Sequence, residues 1–151
     1  MSHDLTALLA ICAECPAMSI STTDVDGQPA SAAVFFAYTQ EAQIYFLSEL
    51  HTQHIRNLQH SPVVAVELHP SVWDWREIRG LQLRGRAEIV TDRTKKRRAM
   101  QIYQERFSFV SGIRAQVLQA AIFAFTPEWA RLVDNRRGFG FKQEWQFPSA
   151  G

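Results

Sequence analysis

The segment Ile44–Pro62 constrains the fold most, because it reads as a strand followed by a short helix and leads directly into a second strand. The first apolar run ends near Ser48, a helix begins around Thr52, and a further apolar run covers Val63–Leu68. A helix start carries free backbone N–H groups and a partial positive charge, which together attract anions. The segment therefore predicts an anion-binding turn between two strands of one sheet.

Other short apolar runs are joined by turn signals, such as Asp24-Val25-Asp26-Gly27 and Gln40-Glu41, rather than by long linkers. Hairpins of this kind favour an antiparallel meander that closes, or nearly closes, into a barrel, since closure removes exposed strand edges. The fold class expected is mainly β (α+β), with six or seven strands and flanking helices. The predicted strands are Met18–Thr23, Ala30–Tyr38, Gln43–Leu47, Val63–Leu68, Ile78–Val90, Ala121–Val133 with an interruption at Pro127, and Gly138–Phe147.

Helical periodicity appears in three places outside the central segment. Apolar residues from Leu5 to Cys15 predict a first helix that ends before Pro16. Thr91 or Asp92 is suited to cap a second helix running to about Phe107, and Ser108–Gln119 reads as a loop with a short helix. Within Ile78–Val90 the alternation slips at Gly80-Leu81, which predicts a β-bulge there.

Composition is that of one ordinary globular domain covering residues 1–151, with 46% apolar and 21% charged residues. The net charge of +1 provides no overall field for nucleic acid or anionic membranes, and we interpret the basic run Arg93–Arg98 as a solvated helix face. No apolar stretch reaches the roughly 18 residues that a membrane span requires. The first residues lack the basic region of a signal peptide, so we expect a cytoplasmic protein without nucleic-acid or membrane partners.

Cysteines and histidines offer two possible special sites. Cys12 and Cys15 form a single CxxC, which indicates buried thiols on one helix face or, alternatively, a redox pair. His51 and His54 also share a helical face, but no third ligand is evident from the sequence. We therefore predict no metal site.

Four segments carry a resemblance to a known family: DGQPASAAVFFAY (26–38), YFLSELHTQHIRNLQHSPVVAV (45–66), IRGLQLRGRAEIV (78–90) and DNRRGFGFKQEW (134–145). In this order and spacing they resemble the pyridoxamine 5′-phosphate oxidase-like FMN-binding split barrels, and more narrowly a branch of small bacterial proteins among them. The resemblance implies a split barrel, FMN as cofactor, and a homodimer that holds the cofactor at its interface.

By this resemblance, Ser48, Thr52 and His54 would bind the FMN phosphate, with Arg56 as a supplement. His54 stands where the family usually has lysine, and the strand Ala30–Tyr38 lacks the basic residues that well-characterised members carry. The alternative is that Thr52 only caps the helix and His54 is an exposed polar residue.

The flavin ring would lie along the backbone of Ala32–Phe36, with Gln82 at its pyrimidine edge and Arg79 near N1 and O2. Lys142 and Trp145 would reach the flavin of the other subunit. The alternative for Arg79 and Gln82 is that they lie on an ordinary solvent-exposed strand face. The alternative for Lys142 and Trp145 is that they belong to an aromatic strand packed into the barrel.

Taken together, the resemblance implies an FMN-dependent oxidoreductase that acts on a small-molecule redox substrate, and no catalytic acid or base stands out. One alternative is a non-enzymatic barrel that binds flavin, haem or another planar ligand, with His51, His54 or His69 as haem ligands. A strict pyridoxamine phosphate oxidase is disfavoured, because the chain is short for that enzyme and its second predicted strand has no basic residue.

Overall fold

The computed structural model describes residues 4–148, in which seven strands and four α-helices occur. The strands are β1 (Ala17–Thr23), β2 (Pro29–Tyr38), β3 (Ile44–Glu49), β4 (Val63–Leu68), β5 (Arg79–Ile89), β6 (Ala120–Asp134) and β7 (Lys142–Gln146). The helices are α1 (Thr6–Glu14), α2 (Gln53–His60), α3 (Arg93–Arg106) and α4 (Arg114–Gln119), and a 3₁₀ segment, Ser108–Ile113, joins α3 to α4.

All strand pairings are antiparallel, in the order β3-β2-β1-β4-β5-β6-β7, and β3 also pairs with β6. The first six strands therefore close into a barrel and β7 extends it along β6. Closure is possible because the long strand β6 pairs with β3 near its start, with β5 over most of its length, and with β7 near its end. This confirms the predicted antiparallel split barrel with flanking helices.

The barrel interior is filled by apolar side chains that alternate with outward residues along each strand. Phe46 of β3 and Phe123 of β6 are fully buried and stack with ring centroids 5.4 Å apart. A second apolar cluster lies where α3 packs outside the barrel, around Ala99, Tyr103 and Ile122. This second cluster fixes α3 against β2, β3 and β6.

The predicted bulge at Gly80-Leu81 is wrong, because these residues pair regularly with β6. The register shift lies instead between Arg84 and Gly85, opposite the stretch that contains Pro127. Proline cannot donate a ladder hydrogen bond, so β6 accommodates it at a bulge and continues as one strand instead of being interrupted there.

The final strand is shorter than the predicted Gly138–Phe147. Gly138 and Gly140 have φ values of 130° and 71°, which strand residues do not adopt, and β7 begins only at Lys142. The predicted capping residue Asp92 does cap α3, since its carboxylate accepts a hydrogen bond from the Lys95 backbone N–H at 2.9 Å.

Candidate functional site

Three polar side chains meet where β3 leads into α2. Ser48 Oγ and His54 Nε2 are 2.9 Å apart, Ser48 Oγ and Thr52 Oγ1 are 3.3 Å apart, and Thr52 Oγ1 and His54 Nε2 are 3.4 Å apart. Ser48 is buried, whereas Thr52 and His54 are partly exposed. The structure thus brings together the three residues that the sequence predicts for an anion site.

Local chain geometry produces this convergence. Thr52 has an extended backbone (φ −70°, ψ 152°) and precedes α2, while its hydroxyl donates to the Glu49 carbonyl at 3.1 Å. No side chain caps the first turn of α2, so the N–H groups of that turn remain available to a ligand. The helix itself is held against the barrel, because Ile55 is fully buried and Asn57 Nδ2 donates to Thr22 Oγ1 of β1 at 3.0 Å.

The charge at this turn is small. Burial lowers the pKa of His54 below its usual range, which makes its imidazole neutral at neutral pH. Arg56 lies across the turn and donates to the His51 carbonyl at 2.8 Å and to Gln53 Oε1 at 2.7 Å. The turn therefore combines neutral donors with one exposed cation, and the carboxylate of the exposed Glu49 lies on the same turn.

A mainly apolar cleft of about 300 Å³ adjoins Ser48. The floor is the β2 stretch 33–35, and one wall comes from the residues after α3, including Phe109 and Val117. Phe35 is half-exposed in this cleft, and its ring centroid lies 5.3 Å from Phe107 and 5.7 Å from Phe109. An apolar cleft with a few polar groups at one end is the usual form of a small-molecule site.

Arg79 lies far from this cleft within one chain. Ser48 of β3 pairs with Ala121 of β6, and Arg79 of β5 pairs with Asp134 of β6. Ala121 and Asp134 lie close to opposite ends of β6. Arg79 forms an ion pair with Glu14, and its Nε is buried without a hydrogen-bond partner among the described residues. It borders a second cleft of about 410 Å³ that His69 and Trp73 also line.

The other three predicted ligands also lie outside the Ser48 cleft of their own chain. Gln82 is exposed on β5, and Lys142 is exposed with its Nζ donating to the Gly140 carbonyl at 3.2 Å. Trp145 is buried in the core and donates its indole N–H to the Asp4 carbonyl at 3.0 Å. Their contact with a cofactor, like that of Arg79, stays a prediction.

The sequence predicts a loop and a short helix after α3 but does not indicate that this segment forms a wall of the cleft. The signal was present in Phe107 and Phe109, two aromatic residues separated only by Ser108 in a segment without strand or helix periodicity. Another omission was Arg106, whose guanidinium donates to the Phe36 carbonyl at 2.8 Å, to that of Cys12 at 2.7 Å and to that of Cys15 at 2.8 Å. This side chain holds β2, the floor of the cleft, against α1.

The two cysteines are free and buried, and burial raises the pKa of Cys12 to about 12. This matches the predicted buried thiols, because a thiol with so high a pKa is a poor nucleophile. Across residues 4–148 no three His, Cys, Asp or Glu side chains gather closely enough to hold a metal ion. In the same part of the chain, the helices are too short or too polar to cross a membrane.

Comparisons with known proteins agree with this architecture. Over 116 residues the chain is 28% identical to a UPF0306 protein of Klebsiella pneumoniae (strain 342), which covers 76% of this chain and 75% of that protein. Among solved structures, HutZ, the haem storage protein from Vibrio cholerae, has a TM-score of 0.70 at 20% identity, over 82% of this chain and 89% of HutZ. The conserved hypothetical protein Rv2991 from Mycobacterium tuberculosis has a TM-score of 0.76 at 18% identity, over 100% and 96% of the two chains.

At these identities the structural matches show a shared fold and no more. The sequence itself carries the assignment, because the family profile described as pyridoxamine 5′-phosphate oxidase matches residues 5–134, which is most of the chain. The chain therefore belongs to the pyridoxamine 5′-phosphate oxidase family.

Proposed function

We propose that this protein binds FMN, with the phosphate at the start of α2 and the flavin ring in the cleft floored by β2. The observation that carries the proposal is the convergence of Ser48, Thr52 and His54 on an uncapped helix start beside an apolar cleft. A phosphate needs several donors at one point, and a planar ring needs an apolar wall. The two requirements are met side by side.

The donors at the turn fit a phosphate without supplying much fixed charge. In this proposal the Ser48 and Thr52 hydroxyls rotate away from the Glu49 carbonyl, to which both can donate, and give their protons to phosphate oxygens. A neutral His54 can donate from the ring nitrogen that bears its proton. The cationic lysine expected at position 54 is missing, and β2 (PASAAVFFAY) has no Lys or Arg. Each lost charge-assisted hydrogen bond costs about 1.5–3 kcal/mol, so we propose weaker FMN binding than in members that keep these residues.

A bound flavin would supply the redox chemistry, and we propose that the protein is an oxidoreductase acting on a small-molecule substrate. The chain's part is to orient the ring along the backbone of β2 and to exclude water with Phe35 and Phe109. The cleft is open on one side, and we propose that a second subunit covers it in a homodimer. Arg79, Gln82 and Lys142 lie outside the cleft of their own chain, so in this proposal they act only across that interface.

Haem binding is the second candidate, and one local arrangement favours it. His69 Nδ1 lies 2.7 Å from Glu67 Oε1, which leaves Nε2 available at the second cleft, beside Trp73. A histidine that ligates a metal commonly has its other ring nitrogen bonded to a carboxylate. HutZ, which shares the fold, is described as a haem storage protein.

The visible spectrum of freshly purified protein distinguishes these candidates, because flavin and haem absorb differently. We expect bound flavin, and quenching of FMN fluorescence on titration into protein freed of cofactor. Ser48→Ala combined with Thr52→Val should weaken FMN at least about tenfold, since two donors are lost. Thr91→Val, which removes an exposed hydroxyl elsewhere, should leave the affinity unchanged.

A protein that purifies without flavin and does not quench FMN at high micromolar concentration would refute the flavin proposal. The haem candidate requires a Soret band on haem titration that His69→Ala abolishes and His60→Ala retains. An unchanged haem spectrum would eliminate it.

A further inference from the structure

A third cleft, of about 520 Å³, lies on the outside of the barrel between α3 and the paired strands β3 and β6. It shares no lining residue with the cleft beside Ser48 or with the cleft beside Arg79. Its polar lining comes mainly from Tyr45 of β3 and from Thr94, Lys95 and Arg98 of α3. This site is therefore separate from the places proposed for flavin and haem.

The four side chains present hydrogen-bond donors to one space. Thr94 and Arg98 are four residues apart and Lys95 and Arg98 three apart, which puts them on one face of α3. The six ion pairs among residues 4–148 do not include Lys95 or Arg98, and no side-chain hydrogen bond in this part of the chain uses any of the four groups. These donors are thus free to bind a ligand.

Tyr45 distinguishes this cleft from an ordinary solvated helix face. Its ring is half-buried against α3, and burial raises the pKa of its hydroxyl, an effect that nearby Arg98 partly opposes and Glu41 reinforces. The hydroxyl is therefore protonated at neutral pH and can donate. The hydroxyl makes no hydrogen bond to another group among residues 4–148 and is open to solvent, so a ligand in the cleft can accept its proton.

Gln43, the amide that lines the cleft, is already engaged, whereas the carboxylates of Glu41, Glu88 and Glu128 lie near the cleft without lining it. Gln43 donates from Nε2 to the Phe125 carbonyl at 2.8 Å and accepts from the Thr126 hydroxyl at 3.1 Å. The carboxylate of Asp92 caps the Lys95 backbone N–H, and no Asp or Glu lines the cleft. The free groups are therefore donors, two of them cationic.

We propose that this cleft binds a small, multiply charged phosphate compound, held by Lys95, Arg98, Thr94 and Tyr45. Two cations three residues apart on one helix face can each form charge-assisted hydrogen bonds to a different anionic oxygen of a diphosphate group. The two hydroxyls add neutral donors from opposite sides of the cleft. The inference does not depend on flavin binding.

Pyrophosphate is the probe, titrated by calorimetry into the full chain at constant ionic strength. We expect saturable binding that Lys95→Gln with Arg98→Gln weakens at least about tenfold, because charge-assisted bonds are lost. The matched control is Lys96→Gln with Arg97→Gln, which removes the same charge from the same helix outside the cleft. It should change the affinity by less than about twofold, as expected for exposed charges screened by salt.

Tyr45→Phe provides a second measurement, since it removes only the hydroxyl, and it should weaken pyrophosphate severalfold. Unchanged thermal unfolding of each variant would show that the fold is retained. Absence of saturable binding, or equal weakening in both charge-matched double variants, would overturn the proposal. Equal effects would mean that pyrophosphate responds only to the general charge of α3.

Discussion

Replacing Arg106 with methionine is expected to lower the free energy of unfolding by about 3–5 kcal/mol. The guanidinium donates to three backbone carbonyls that belong to two different elements, those of Phe36, Cys12 and Cys15, at 2.7–2.8 Å. Each hydrogen bond from a charged donor contributes about 1.5–3 kcal/mol. The side chain is only partly buried, so water can replace some of these bonds. We expect about three fifths of the full sum of about 4.5–9 kcal/mol to be lost, which gives about 3–5 kcal/mol.

Methionine is the informative replacement because it keeps apolar contact with the rings around Arg106. The guanidinium carbon lies 4.7 Å from the ring centroid of Phe36, 5.0 Å from that of Tyr38 and 5.4 Å from that of Phe107. An apolar chain of similar length fills the same space, so the loss reports mainly on the three carbonyls. Arg106→Lys retains the charge but cannot span all three, and it should give an intermediate loss.

Urea unfolding followed by tryptophan fluorescence measures this loss, provided that the m-values of the variants agree. For a chain of this size, about 3–5 kcal/mol corresponds to a fall in melting temperature of roughly 6–20 °C. Arg97→Met, an exposed arginine on the same helix, should change the free energy of unfolding by no more than about 0.5 kcal/mol. A loss below about 1 kcal/mol for Arg106→Met would refute the reasoning, because it would show that water satisfies the carbonyls.

Two further predictions concern the barrel and the turn before α2. Gly85→Ala should cost about 3 kcal/mol in the same urea assay, because its Cβ would lie 2.1 Å from the Thr126 carbonyl oxygen. Gly112→Ala, whose Cβ would meet nothing within 4 Å, should cost little; equal losses would contradict the argument. Burial lowers the folded-state pKa of His54, so the unfolded chain takes up the proton first as the pH falls, and stability should drop from near pH 6.5 downwards. His54→Asn should reduce that drop and His60→Asn should not; a slope unchanged by His54→Asn would show that this histidine is not the source.

The fold could be predicted largely because its elements are local. β4 spans Val63–Leu68 as expected, and α3 begins after Asp92 as its capping chemistry indicates. The misplaced bulge shows the limit of local reasoning: Gly80 looked irregular in its own strand, but the bulge depends on Pro127 of the neighbouring strand. A cross-strand partner more than forty residues away is not visible in the alternation of one segment.

The same distinction applies to the site. Ser48, Thr52 and His54 lie within seven residues of one another, so a single turn of chain brings them together. Arg79 and Gln82 occupy positions set by the pairing of β5 with β6, which the order of elements does not specify. The position of the cleft wall after α3 depends in turn on how α3 packs outside the closed barrel. In the sequence, the aromatic residues Phe107 and Phe109 are the signal that indicates this wall.

The distribution of charge around β2 explains how the family scaffold is used in this chain. Arg106 is a positive group that contacts β2, since it donates to the Phe36 carbonyl from the α3 side, and it is partly buried. A guanidinium whose donors are engaged by backbone carbonyls stabilises the strand but has little left to offer a ligand phosphate. The face of β2 towards the cleft is accordingly small and aromatic, as at Ala33 and Phe35. In the proposed FMN complex, recognition would therefore rest on the shape of the flavin ring and on neutral donors near Ser48, with charge as a minor contribution.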